Sequence, residues 1–161
     1  MSSTVDFRND ERLVRLAEPA SMGDRLKFDE SLDRHCSLRI GGPAGVWAEV
    51  ASLDELRILL DVAGAHDAPV HVVGLGSNLL FPDEGIDGLV IRLVGDLAEW
   101  HVEDVDGDVA VVKVGGGAVN AHIVRGLHGE GWVGAEFLAL VPGTFGGAVM
   151  MNAGTKHGEL A

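Results

Sequence analysis

The chain has 161 residues, 47% of them apolar, which is enough for one ordinary domain or two small ones around a real core. Its 25 acidic and 12 basic residues give a formal charge of −13, which argues against duplex nucleic acid or an anionic membrane as a partner, because their phosphates would be repelled. Nothing approaches the roughly 18–20 apolar residues that span a bilayer, Met1–Arg8 carries no basic stretch followed by an apolar one, and the lone Cys36 allows no internal disulfide, so a cytoplasmic location fits.

Residues 1–30 read as an N-terminal arm with a short helix over Asp10–Ala17, stopped by Pro19, and no chemistry of its own. Next, Arg39 stands before a Gly41-Gly42-Pro43 turn, where its guanidinium suits a phosphate or a ring carbonyl; an ordinary surface arginine is the alternative. Val46–Val50 alternates as a strand. Ser52-Leu53-Asp54-Glu55 is a capping-box sequence with Ser52 as N-cap. Leu53, Leu56, Leu59, Leu60 and Ala63 supply the apolar face of the helix behind it.

Pro69–Val73 has the pattern of a buried strand closing a βαβ unit. It runs into Gly74-Leu75-Gly76-Ser77-Asn78-Leu79-Leu80. Two glycines spaced by one residue permit positive φ and close backbone approach, and successive free N–H groups in such a turn make a concave anion site. Ser77 and Asn78 add side-chain hydrogen bonds, so a nucleotide diphosphate is the first candidate ligand. A tight strand-to-turn corner is the other reading. The loop is no Rossmann fingerprint, since Leu79 stands where a third glycine belongs, and no P-loop, since no Gly-Lys-Ser/Thr follows.

After the Pro82/Gly85 turn, Gly88–Leu93 supplies another strand. A boundary near residue 95 separates a first subdomain, 31–95, a βαββ layer, from a second, 96–161, an antiparallel α+β layer. Trp100–Glu103 and Val109–Val114 alternate around Asp106-Gly107 as a hairpin. Gly115-Gly116-Gly117 ends it, and Val119, Ile123, Val124 and Leu127 recur at helical spacing. In the last stretch Pro142 and Thr144 open a short helix, and Gly146-Gly147 keeps one face bare for a flat ring or another backbone, a small-residue helix–helix contact being the other reading. Asn152-Ala153-Gly154 follows. The 23 glycines gather at these turns, as one ligand touched from several sides would require. The seven histidines show no metal spacing, and His122 and His128 are most simply solvent-facing. No nucleophile–base pair is spaced for catalysis, which fits chemistry carried by a bound cofactor.

His35–Ala44, Gly74–Leu80, Asp87–Leu93 and Val141–Gly154 together resemble, in order and separation, the N-terminal half of the UDP-N-acetylenolpyruvoylglucosamine reductase family, flavoenzymes of peptidoglycan precursor synthesis. The likeness runs from about His35 to Glu159. It implies an α+β, two-subdomain FAD-binding domain of the vanillyl-alcohol-oxidase type, truncated, with FAD in a groove between the subdomains. In it Gly74–Leu80 would hold the pyrophosphate and Pro142–Gly154 would line the flavin. Arg39 with Gly41-Gly42, and Gly115–Gly117, would close around the same cofactor. Ser77 and Asn78 offer no attachment nucleophile, so FAD should be non-covalent. The resemblance further implies NADPH as hydride donor and a UDP-sugar enolpyruvyl ether as substrate. The family's catalytic residues would lie downstream of Ala161, leaving none in this chain, and the substrate domain would be absent. A self-standing FAD- or nucleotide-binding module without reductase activity is the alternative.

Overall fold

The structure, a computed structural model, describes residues 7–156 and 158–160; the first residues of the expected arm and Ala161, the end of the second expected subdomain, lie outside it. The chain divides at Leu93/Val94 into two units.

In the first unit, the β-branched and aromatic residues of Pro43–Val50 (β2) and Ile86–Leu93 (β4) make two parallel central strands, and Leu26–Ser31 (β1) and Val70–Val73 (β3) flank them in the order β1-β2-β4-β3. β1 runs antiparallel to β2, and β3 parallel to β4. Trp47 and Val90 join Leu32, Cys36, Ala44, Val73 and Phe81 in one core cluster. The opposite parity (Val46, Ala48, Val50, Leu89, Ile91) is buried too, so the central strands are covered on both faces. Leu53–Ala65 (α2) lies against β2, and Glu11–Leu16 (α1) lies against α2.

Four expectations need correction here. The arm is not peripheral: β1 pairs with β2 from Leu26↔Ala48 to Ser31↔Pro43, and Phe7, Leu13, Leu16 and Met22 are buried. Only Leu26 of β1 is buried, so no alternating pattern advertised the strand. β3 is an edge strand, with Val73 buried but Val72 64% exposed. The β2–α2–β3 unit does not pair its own strands, because β4 inserts between them. Finally, α2 buries Leu59, Val62 and Ala63, whereas Leu53 and Leu60 are exposed, a rotation of the expected face. Ser52 caps α2 as expected, accepting from the Glu55 N–H at 3.3 Å. Besides the Ser52 backbone, Glu55 engages two further partners. It accepts from the Ala51 N–H at 2.8 Å and forks with Arg25 at 2.9 and 2.6 Å.

The second unit is a Trp100–Asp106 (β5) and Val109–Val114 (β6) hairpin, turned at Gly107 with φ 57, and an Asn120–Gly129 helix (α3). Ala118, Ile123 and Leu127 form its core, with Trp100, Val112, Trp132 and Phe145 packed on them. A short helix, Phe145–Met150 (α4), and a two-residue pairing of Gly154–Thr155 (β7) with Gly158–Glu159 (β8) complete it.

Candidate functional site

In the first unit the glycine loop leaves the C-terminal end of β3, the end at which open α/β sheets bind ligands. The Gly76 carbonyl accepts from the Ser37 N–H at 3.1 Å, which ties the loop to the segment linking β1 and β2. Gly76 has φ 67, and a Cβ there would collide with the His35 carbonyl and lie 2.6 Å from the Cys36 Cα. Its bareness thus serves a contact inside the chain. The same holds at the Gly41-Gly42 turn. A Cβ at Gly41 would meet Phe81 Cβ at 2.6 Å, and one at Gly42 would run into the Asp83 carbonyl. These glycines lock three loops into one frame.

That frame borders a cavity of about 480 Å3. Arg34, His35, Cys36, Ser37 and Arg39 line it from one segment, and Gly74, Leu75 and Arg92 from the strand ends. Of the expected residues, Arg39, Gly74 and Leu75 therefore meet at one surface, while Gly76, Ser77, Asn78, Leu79 and Leu80 stand outside that lining. Arg34, His35, Ser37 and Arg92 were missed. For Arg92 a signal existed: a cation near the end of an otherwise apolar buried strand, Leu89-Val90-Ile91-Arg92.

Arg39 holds φ 54, a left-handed conformation that costs a residue with a Cβ roughly 1–2 kcal/mol. The His35 ring stacks on Trp47, centroids 3.7 Å apart, and its Nε2 lies 3.0 Å from Glu30 Oε1. Burial pushes the Glu30 carboxyl up, but the His35 hydrogen bond and the charges of Lys27, His35 and Arg34 outweigh it and hold Glu30 below the usual carboxylate range. Glu30 is therefore an anion that fixes His35 at the cavity wall. Arg92 stands 3.6 Å from Glu49, which shares its charge without enclosing it. In a chain of net charge −13, three arginines and no carboxylate line this cavity. The donor set fits a phosphate or diphosphate.

The second unit builds its own cluster. The Gly116 carbonyl accepts from the Gly146 N–H at 2.9 Å, and the Ala118 carbonyl from the Phe145 N–H at 2.8 Å, so the 115–117 turn and the start of α4 form one piece. A Cβ on Gly115 would strike the Leu97 carbonyl, and one on Gly146 would lie 2.8 Å from the Gly116 oxygen. Gly117 borders a second cavity of about 460 Å3 with Trp100, Val119 and His122. His122 and His128 are exposed. Thr144 caps α4, accepting from the Gly147 N–H at 3.4 Å, and Gly143, with φ 126, accepts from the Asn120 N–H at 3.2 Å. Asn120 is fully buried; its Nδ2 donates to Val141 at 3.0 Å while its Oδ1 has no partner. Pro142 is exposed and Ala148 buried. The Ala148 carbonyl accepts from the Ala153 N–H at 2.8 Å, Asn152 takes φ 43, and Gly154 pairs with Glu159. Gly147 is exposed, with Thr144 Oγ1 the nearest neighbour at 3.4 Å to where its Cβ would be. Of the Gly146-Gly147 pair expected to keep a helix face bare, Gly147 is open, whereas Gly146 is closed against the Gly116 backbone.

Among the described residues no group of three or more His, Cys, Asp or Glu is placed to hold a metal ion, and no helix is long and apolar enough to cross a membrane.

The FAD binding domain family matches residues 44–161, most of the chain, including the second strand, the glycine loop and the whole second unit. The chain belongs to that family. It is 43% identical over 137 residues to UDP-N-acetylenolpyruvoylglucosamine reductase 2 of Symbiobacterium thermophilum, covering 85% of this chain and 43% of that protein. It is 40% identical over 151 residues to the Bacillus subtilis reductase, covering 94% of this chain and 48% of that one. The crystal structure of the Thermus caldophilus reductase superposes with a TM-score of 0.60 at 36% identity, over 83% of this chain and 44% of that chain. The chain thus spans somewhat under half the length of the relatives it matches. The α+β FAD-binding fold expected from the sequence is borne out by this family membership and by that structural likeness.

Proposed function

We propose that this chain is the FAD-binding portion of an NADPH-dependent UDP-N-acetylenolpyruvoylglucosamine reductase, forming UDP-N-acetylmuramate for peptidoglycan in the cytoplasm. The observation that carries this reading is the arginine-lined cavity at the ends of β3 and β4, whose Gly74, Leu75 and Arg92 lie inside the stretch matched by the FAD binding domain family and whose Arg34–Arg39 wall lies just before it. In this reading Arg39, Gly74 and Leu75 take the cofactor's pyrophosphate, with Gly76 and the Gly41-Gly42 turn holding their loops in place. Ser77 and Asn78 offer further donors, and Leu79 and Leu80 apolar cover. The Gly115–Gly117 turn, Pro142–Ala148 and Asn152–Gly154 take the flavin side, with the open face of Gly147 against the ring. FAD supplies hydride transfer between reduced nicotinamide and an enolpyruvyl ether. The chain's own residues bind and orient: the guanidiniums neutralise phosphate charge, and α4 offers a position without a Cβ at Gly147.

No histidine follows Gly74 in the loop, so the cofactor is held non-covalently. Denaturing the FAD-loaded protein and passing it through a desalting column tests this. The account predicts colourless protein and free flavin; colour that stays with the denatured chain contradicts it. Anaerobic addition of NADPH to the loaded chain tests the hydride donor. Bleaching of the flavin absorbance faster with NADPH than with NADH is the predicted result, and equal rates would remove the nicotinamide preference from the proposal.

A further inference from the structure

Among the described residues two polar ones are buried, Asn120 and Thr144, and both act on the turn ahead of α4. Thr144 caps that helix. Asn120, the first residue of α3, holds the turn from the other side: its N–H donates to the Gly143 carbonyl at 3.2 Å and its Nδ2 to the Val141 carbonyl at 3.0 Å. The two bonds bracket Pro142, which has no N–H of its own with which to pin the turn. Val119 bridges Thr144 next to them. A carbonyl only accepts, so the amide nitrogen must face Val141, and Oδ1 is turned to where no protein donor meets it. A buried acceptor left in that state is costly, and an apolar side chain with the same number of heavy atoms would avoid the cost. Such a side chain would not hold the Val141 carbonyl.

We infer that Asn120 is a positioning residue for the cofactor: it fixes the Val141–Gly143 turn, and through the turn the place at which α4 offers Gly147 to the flavin ring. The inference rests on the flavin-side reading of α4 and adds to it a residue outside every glycine motif. Asn120 is fully buried and acts only through the backbone it holds.

Asn120→Leu, made in the 161-residue chain, tests this. It removes the donor and the orphan acceptor together, so the two effects offset each other and the urea midpoint stays near that of wild type. The turn keeps one of its two bonds to Asn120 and opens more often. Amide exchange at Phe145, Gly146 and Gly147, followed by NMR without FAD, becomes about tenfold faster, the weight of one hydrogen bond. FAD affinity, from fluorescence titration, falls by a similar factor, and the visible spectrum of the bound flavin changes. Arg125→Gln, exposed on the same helix, moves none of these. If Asn120→Leu does not melt cooperatively, Asn120→Ala, which removes the amide without adding bulk, takes its place in the same comparison. Exchange that does not move overturns the inference whatever FAD does. Faster exchange with FAD affinity and flavin spectrum unchanged overturns it too, because the turn then has no hold on the cofactor. A folded wild-type chain that binds no FAD removes the cofactor reading, while the exchange comparison, made without FAD, still decides whether Asn120 holds the turn.

Discussion

Gly76 and Gly64 are both bare positions, yet their substitution should act in opposite directions. At Gly76 a Cβ collides with the His35 carbonyl and φ is 67. Gly76→Val should therefore destabilise the first unit by at least the roughly 1–3 kcal/mol of a strained backbone, and FAD binding should fail through the lost frame. Nothing lies within 4 Å of a Cβ on Gly64, which sits inside α2. Gly64→Ala should add about 0.5–1 kcal/mol. Urea midpoints read both, and an unaffected Gly76→Val midpoint would contradict the packing described here. Glu55 makes the pH-dependent case. The Arg25 hydrogen bond first, then the Ala51 and Ser52 backbone, outweigh burial and hold its carboxyl below the ordinary 4.5. A depressed folded value means the stabilisation is present above the unfolded value and is lost as pH falls through the folded one. Glu55→Gln should thus cost about 2 kcal/mol at pH 7, and the gap from wild type should close in acid as the pH falls below the ordinary 4.5 and through the lowered folded value. A gap of constant size across that range would show that the charge on Glu55 is not what matters.

At the scale of elements, the short helix α4 depends on its cap, because six residues are too few to be helical on their own. Thr144→Ala removes the acceptor for the Gly147 N–H and should cost about 1 kcal/mol. It should also weaken flavin binding more than it lowers the melting temperature of the whole chain, which fluorescence titration beside a melt would show. Most elements could be read from the sequence for local reasons: Ser52 has its capping hydroxyl, Asp106-Gly107 its hairpin turn, and the stretch from Val119 to Leu127 its 3.6 period. β1 escaped because an edge strand with one buried residue leaves no period to read. β3 was misjudged because Val70 and Val72 have strand propensity whether covered or bare. The rotation of α2 depended on which stripe meets β2, a tertiary fact. The cavity was half legible. Arg39, Gly74 and Leu75 lie in sequence motifs, but Arg92 reaches them only through the β3–β4 register, and Arg34 only through the helical turn that follows β1.

For the whole molecule, the chain covers 43–48% of the length of the relatives cited. We predict that these 161 residues alone do not convert the enolpyruvyl sugar nucleotide to UDP-N-acetylmuramate. On the reading that the proton donor and the substrate-orienting residues belong to the part of the relatives this chain does not cover, a bound flavin forgoes roughly 10²–10⁴-fold from the donor and about 7–11 kcal/mol of proximity from substrate orientation. Mass spectrometry of the product checks this, and steady turnover would place the catalytic groups inside the chain. The central claim is cofactor binding itself. The most direct test is a titration of the purified chain with FAD followed by desalting, with the retained flavin counted by absorbance against protein. The account predicts one FAD per chain, retained while the protein is folded. A chain that melts cooperatively yet retains no flavin would contradict it.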